Sequence, residues 1–393
     1  MPMTSRRLLL LLCATMGSTT FSLGAFPALL PEIGTAVALT DLQLGVVAGA
    51  FGLARMAVDI PAGLLVTHHV RRALIAAPAF MLVGVTFLAA GGGFAWLLVG
   101  RIFMGVGHTL GMLGGLTTIL RLREAGGLAS ALNAFEFSAM LGILGGVTLV
   151  GALPRTLPWN VAFLVGAAPI LVGLATVRGV LGALPSTDSA RPWFARTAAA
   201  DAGPERRSDV AVVVIAFAAG TVVALTYGTV ESFLIPLRGS REFGLDRAGV
   251  ARLLMLTQAC DILALLPLGA LADRRGTTRV LAAVLLTYAA ALALLAFGTL
   301  PYAVAGCVLF GLAMAGWMLP LGLLRAATPS SRVAWRTALY RVFIDGGLFL
   351  GPFLSGVLAA HHGGLLPVTL ALLLAALAAA VLFRRGARAA RWR

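Results

Sequence analysis

The sequence predicts an all-α membrane protein: twelve transmembrane helices in two pseudo-symmetric six-helix bundles. Three observations lead there. Of 393 residues, 60% are hydrophobic and 11% charged, with a mean hydropathy of +0.97, whereas soluble domains carry roughly 45–50% apolar and about 25% charged residues. The apolar residues gather into twelve runs. The second half of the chain also repeats landmarks of the first.

A spanning helix needs roughly 20 largely apolar residues. On that criterion spans 1 to 12 fall near 7–30, 42–66, 73–93, 95–119, 127–152, 159–181, 210–236, 248–272, 279–299, 301–324, 337–360 and 364–383. The run after Arg6 and Arg7 is long and has many successors, so it reads as an uncleaved first helix rather than a signal peptide. The long connection carries Pro185, Asp188, Arg191, Glu205 and Arg207 and is polar enough to stay in water. It divides the chain into an N-terminal bundle (1–181), a cytoplasmic linker (182–209) and a C-terminal bundle with a basic tail (210–393).

Cytoplasmic loops hold the positive excess. With the N-terminus inside, Arg6, Arg7, Arg71, Arg72, Arg121, Arg123, the linker arginines, Arg274, Arg275, Arg279, Arg325, Arg332, Arg336 and the tail arginines are cytoplasmic. Arg155, Arg238, Arg241 and Arg247 are left outside. Both termini are then cytoplasmic. All 30 basic residues are arginine, a codon bias that suggests a GC-rich bacterial genome and hence a multi-pass protein of the bacterial inner membrane.

A net charge of +15 would hint at nucleic acid in a soluble protein. Here the arginines lie between apolar runs, so membrane topology accounts for them and no nucleic acid is expected. Cys13, Cys260 and Cys307 fall within apolar runs without metal spacing. His68 and His69, like His361 and His362, are adjacent and point apart on a helix. No metal and no cofactor is expected. A chain without lysine has no Walker motif, and no nucleophile–base set marks an enzyme. The expected unit is a monomer in the lipid bilayer.

A shift of 206 residues aligns Pro61 with Pro267, Gly63 with Gly269, Gly92 with Gly298 and Gly105 with Gly311, without a gap. Proline and glycine are costly inside helices, so their coincidence weighs more than matching leucines. Paired halves are a hallmark of secondary transporters, whose solute site lies at the interface near the bilayer midplane.

The loop after span 8 reads Gly269-Ala-Leu-Ala-Asp273-Arg274-Arg275-Gly276-Thr-Thr-Arg279. It resembles the G-x-x-x-D-x-x-G-x-[RK] signature of the major facilitator superfamily. The first-half equivalent keeps Gly63 and the basic pair Arg71–Arg72, with Thr67 and Val70 in place of the aspartate and second glycine. Leu97, Arg101, Gly105 and Gly107 resemble the family's helix 4 pattern. Leu23-Gly24 with Pro27 and Pro31 resembles the twelve-helix drug:proton antiporter branch. Span 11 carries Gly347, Gly351-Pro352 and Ser355-Gly356, similar to a motif antiporters place in helix 5, where this chain has only Gly142, Gly145 and Gly146. The resemblance implies that spans 1, 4, 7 and 10 line a cavity. It also sets span 2 beside span 11, and span 5 beside span 8. Asp273, with Arg274 and Arg279, then reads as a switch meeting a neighbouring arginine or helix N-terminus; the same residues also read as a plain tight turn.

Ionisable residues in a membrane are costly and mark functional candidates. Arg55 with Asp59, and Arg341 with Asp345, are i,i+4 pairs on antiparallel spans, so each helix presents both charges on one face. By residue count Arg55 matches the depth of Asp345, and Asp59 that of Arg341, which predicts a four-charge gating latch. Alternatively, each pair neutralises itself. Glu136 and Asp261 are expected on facing helices as a proton-coupling pair, since neighbouring or desolvated carboxylates hold protons more readily. Gln258 and Asn133 could instead hold them as polar glue. Substrate-binding candidates are Ser18, Thr19 and Ser22 (span 1), Arg101 and His108 (span 4), Tyr227 and Glu231 (span 7) and Trp317 (span 10). Arg101 could grip an anion, whereas the resemblance to the family's helix 4 pattern implies a proton relay beside an acid; Glu231 could draw a cation or sit at a solvated rim, and the span 1 hydroxyls could be packing contacts.

The expected function is secondary transport of a small molecule by alternating access, with the proton as coupling ion and export of an amphipathic or cationic compound foremost. Proton-coupled uptake of an organic anion or zwitterion is the alternative. A non-transporting receptor on the same fold is the competitor from another class.

Overall fold

The computed structural model describes residues 3–122, 128–184, 209–362 and 364–390. Every regular element among them is helical. Most of the linker, Arg123 and the end of the tail lie outside the described residues.

Among the described residues eleven helices are long and apolar enough to cross a membrane, one fewer than expected, because spans 2 and 3 run on as a single helix, Asp41–Ala90. Its 50 residues would reach about 75 Å if straight, far beyond a hydrocarbon core of about 30 Å. The backbone leaves helical geometry at His69 (φ −137°, ψ 51°) and the two arms fold side by side. Span 4, Phe94–Leu122, touches both: side chains built on Gly105 and Gly107 would strike Phe51 in one arm and Ala77 in the other. The chain therefore makes twelve traverses.

Sequence accounts for the difference between the halves. At the equivalent turn, span 8 (Arg247–Arg275) stops at Gly276, whose φ of 88° suits glycine alone. Val70 stands at the matching place in the first half and cannot adopt that turn. A kinked helix replaces it.

Span 1 is Met3–Ala36 and span 5 Leu128–Ala152. Span 6 is broken between Trp159–Ala167 and Ile170–Ala183 at Pro169, whose missing N–H interrupts the hydrogen-bond ladder. Span 7 runs from Val210–Thr229 through a π-helical turn, Val230–Leu234, into Ile235–Arg241. Span 9 is Thr277–Phe297. Span 10 is split into Leu300–Met314 and Leu319–Ala326. Spans 11 and 12 are Ser330–His362 and Leu365–Ala390.

The halves repeat in packing as well as in sequence. Span 1 lies against spans 5 and 6 as span 7 lies against 11 and 12, and spans 4 and 10 each pack on the two preceding spans. The match reaches single residues. Gly105 lets span 4 approach Phe51 and Ala54, and Gly311 lets span 10 approach Thr257 and Cys260, the same positions after the 206-residue shift. Gly142 and Gly146 close on Gly17 and Phe21 of span 1, while Gly347 and Gly351 close on Thr221 and Leu225 of span 7. The glycine pair of span 11 thus has its counterpart in span 5. Small residues at crossings are how membrane helices gain contact without a hydrophobic drive between them. Large apolar side chains such as Leu263, Leu266 and Leu372 cover the outside, each more than half exposed, a surface suited to lipid.

Candidate functional site

Between the halves, span 2 packs on span 11 and span 5 on span 8. In the middle of the first crossing Arg55 meets Asp345 at 2.8 Å, and Arg341 meets Asp59 at 3.5 Å. Both ion pairs run from one half to the other rather than along one helix. Asp59 and Asp345 are buried, with 5% and 1% of their side chains accessible, while Arg341 keeps 29%. The two carboxylates lie close enough to sense each other, so the four charges form one cluster. Taking such charges out of water is expensive, and each survives there only because its partner is present.

A second set of cross-half ion pairs closes the arginine-poor end of the bundle. Arg247 is 4% exposed; its Nε donates to Glu32 Oε1 at 2.8 Å, its Nη2 to Glu32 Oε2 and to the Leu157 carbonyl at 2.8 Å. This bidentate fork is the strongest form of such a contact. Arg241 pairs with Asp41 at 2.7 Å, and Arg155 with Asp246. Asp246 also caps span 8, accepting from the Gly249 N–H at 2.9 Å. That N–H, with Arg155 beside it, holds the Asp246 carboxyl below the usual carboxylate range. Gly45 and Gly356 bring the backbones of spans 2 and 11 together just beneath, where a side chain on either would overlap Pro352 or Asp41. The sequence offered these arginines only as topology markers. Nothing in their spacing pointed to Glu32, Asp41 or Asp246, each of which meets its partner through the tertiary fold.

The arginine-rich end is different. Side chains built on Gly63, Gly269 or Gly276 would meet nothing within 4 Å, and Asp273, Arg274 and Arg279 are exposed. The Asp273 loop has its glycine turn, and among the described residues no ion pair reaches Asp273. The cross-half ion pairs among the described residues lie in the middle of the seam and at the arginine-poor end.

A pocket of acids lies within the second half. Glu231 sits in the π-helical turn of span 7, a distortion frequent at functional sites. It is 5% exposed; its Oε1 accepts from Gln258 Nε2 at 2.7 Å, and its Oε2 has no hydrogen-bond partner. Asp261, equally buried, lies near it, with Tyr227 and Tyr288 alongside. Tyr227 stacks edge-on against Trp317 with ring centroids 5.6 Å apart, and Trp317 stands at the break in span 10. Interrupted helices near the midplane are where transporters commonly hold solutes.

Asp261 therefore keeps company with Glu231, not with Glu136 as expected. Spans 5 and 8 touch at Gly151 and Ala251 near the arginine-poor end; Asp261 lies ten residues beyond Ala251 and Glu136 fifteen before Gly151, a difference in depth of about 7.5 Å. Glu136 instead senses Arg341 and Arg55, and Gln258 serves Glu231 rather than Asp261.

Arg101 also departs from the open cavity expected of it. It is 5% exposed, donates to the Val47 and Ala48 carbonyls at 3.3 and 3.1 Å, and lies 4.1 Å from the Phe26 ring centroid. Its donors face span 2 backbone and its faces meet rings, which leaves it a tie between spans 4 and 2. His108 packs on Phe51 with centroids 5.4 Å apart. Ser18, Thr19 and Ser22 each donate to a carbonyl one turn back on span 1. Ser18 faces Gly173 of span 6. Thr19 and His108 line a cavity of about 20 Å³ inside the first half, large enough for one water.

Twelve traverses in two equivalent bundles, joined across a charged seam and closed at one end, define a secondary transporter. The Major Facilitator Superfamily profile matches residues 8–256 and, a second time, 212–393; the chain belongs to that superfamily. No curated protein matches it by sequence. Among solved structures it is similar to a point mutant of the nucleoside transporter NupG, with a TM-score of 0.73, 15% identity, and coverage of 97% of this chain and 99% of that one. It is also similar to a bacterial homolog of the human lysosomal transporter Spinster in an inward-facing and occupied conformation. There the TM-score is 0.68 at 15% identity, covering 95% and 93%.

Proposed function

We propose that this transporter exports an amphipathic or cationic compound in exchange for protons, with its arginine-rich end in the cytoplasm and its arginine-poor end outside. The observation that carries this reading is the buried pair Glu231 and Asp261 beside the Tyr227–Trp317 rings. Two carboxylates in one desolvated pocket need a counter-charge. Either a proton or the cationic group of a substrate supplies it, and the aromatic faces favour the cation. Competition between the two for one pocket is the basis of exchange. The rest of the cycle follows from the seam. With the outer clamp closed, solute and proton reach the pocket from inside; opening outward requires Arg247, Arg241 and Arg155 to leave their acids while the inner ends approach.

One observation favours the second reading, uptake of an organic anion or zwitterion: Arg341 keeps 29% of its side chain accessible in the middle of the seam. Proteoliposomes decide between them. A fluorescent lipophilic cation should move against an imposed proton gradient, and Glu231→Gln or Asp261→Asn should each abolish the gradient's effect. Movement of organic anions alone, or flux indifferent to pH in every variant, contradicts the export reading, and no counterflow of any solute would favour a receptor.

A further inference from the structure

A cavity of about 300 Å³ at the arginine-poor end of the second half does not include Glu231 or Asp261 in its lining but shares Arg241 and Asp41 with the outer clamp. Its lining is mixed: Phe233, Leu237 and Leu358 supply apolar surface beside Arg241, Asp41 and Glu242. Arg241 touches Asp41 at 2.7 Å but keeps 51% of its side chain accessible, leaving several of its five N–H donors for a second acceptor. Arg238, the other cation in the lining, is already engaged by Glu242 and by the Leu295 and Gly298 carbonyls. The four charges balance. An anion alone would leave Asp41 and Glu242 facing it, and an uncharged chain would bury the rim without replacing its water.

We propose that this cavity binds a zwitterionic amphiphile: a phosphate on Arg241, an ammonium between Asp41 and Glu242, and an acyl chain against Phe233 and Leu237. A membrane phospholipid with an amine headgroup has this chemistry, and so, without the chain, does a soluble phosphodiester amine. Because the Asp41–Arg241 contact joins the halves, the occupant bears on the same clamp that closes the outer end.

Native mass spectrometry and thermal unfolding of the purified full chain in detergent test the proposal, with phosphatidylethanolamine, phosphatidylglycerol and glycerophosphoethanolamine as probes. Phosphatidylethanolamine should bind and raise the unfolding temperature, with phosphatidylglycerol about tenfold weaker, the loss expected for one charge-assisted contact. Arg241→Ala should weaken phosphatidylethanolamine to a similar degree. That variant also breaks the clamp, so the cavity-filling Leu358→Trp, which leaves the clamp charges in place, should weaken it as well. Equal binding of the two lipids, or unchanged affinity in Leu358→Trp, overturns the site. Glycerophosphoethanolamine binding as tightly as the whole lipid overturns the role of the apolar surface.

Discussion

Arg55 and Asp345 lie 2.8 Å apart on opposite sides of the seam between the two bundles, and the pair is mirrored by Arg341 and Asp59. The i,i+4 spacing on each helix is what makes the double pair possible. Each span offers both charges on one face, and the antiparallel course of spans 2 and 11 reverses their order.

If the double pair is a latch, exchanging charges should restore it. Arg55→Asp and Asp345→Arg should each cut transport at least tenfold, since a lone buried charge costs about 3–5 kcal/mol. The double exchange should recover a large part of the loss. A double variant no better than either single one would mean that the pairs serve only to neutralise each other.

The clamp at the other level predicts accessibility. Tyr227 lies beneath the closed outer end. In a background lacking Cys13, Cys260 and Cys307, a Tyr227→Cys thiol should react slowly with an impermeant reagent applied from outside. Adding Arg247→Gln, which removes the fork to Glu32, should speed that reaction severalfold. Unchanged labelling would show that spans 2 and 11 close the end by packing alone.

Asp246 gives a pH dependence with a definite sign. Its carboxyl titrates below the usual range because the Gly249 N–H and Arg155 favour the charged form. A carboxylate depressed on folding adds stability that is fully present above its unfolded value, near 3.9, and is lost as pH falls through the folded value. Unfolding temperature compared with Asp246→Asn should therefore differ by a constant amount at neutral pH and converge in acid. Asn still caps a helix, whereas Asp246→Ala should cost about 1 kcal/mol more. A difference that grows on acidification would reverse the sign and contradict the assignment.

Glycine substitutions separate packing from solvent. A Cβ at Gly105 or Gly311 would lie closer than 3.0 Å to the backbone of span 2 or span 8, so Gly105→Ala and Gly311→Ala should each destabilise by about 1–3 kcal/mol. Gly63→Ala, with nothing within 4 Å, should leave the unfolding temperature unchanged. Equal behaviour of all three in thermal unfolding would refute the close crossing.

The fold was legible in the sequence because a membrane imposes a length and a hydrophobicity on every span, and the glycines at 105 and 311 reported the repeat. The midplane ion pairs were legible for the same reason: helical spacing and antiparallel course set their depth. Other features depend on how helices turn and pack. The kinked helix through His69 stands where Val70 occupies the place of a turn glycine. Glu136 sits five residues further than Asp261 from the contact of spans 5 and 8, and Asp261 lies near Glu231 instead. Arg101 turned to carbonyls of span 2, whose availability no side-chain pattern announces. The outer clamp joins Glu32 to Arg247 across 215 residues of chain, a separation that no local pattern bridges.

Distances at both ends of one crossing test the central claim most directly. Spin labels on Leu42 and Val357 report the outer ends of spans 2 and 11, and labels on Leu64 and Trp335 the inner ends; all four positions are exposed. The parent protein should show a short outer and a long inner distance, and Arg247→Gln should lengthen the first while shortening the second. Distances that both stay fixed, or that change in the same direction, would contradict two bundles rocking about a charged seam.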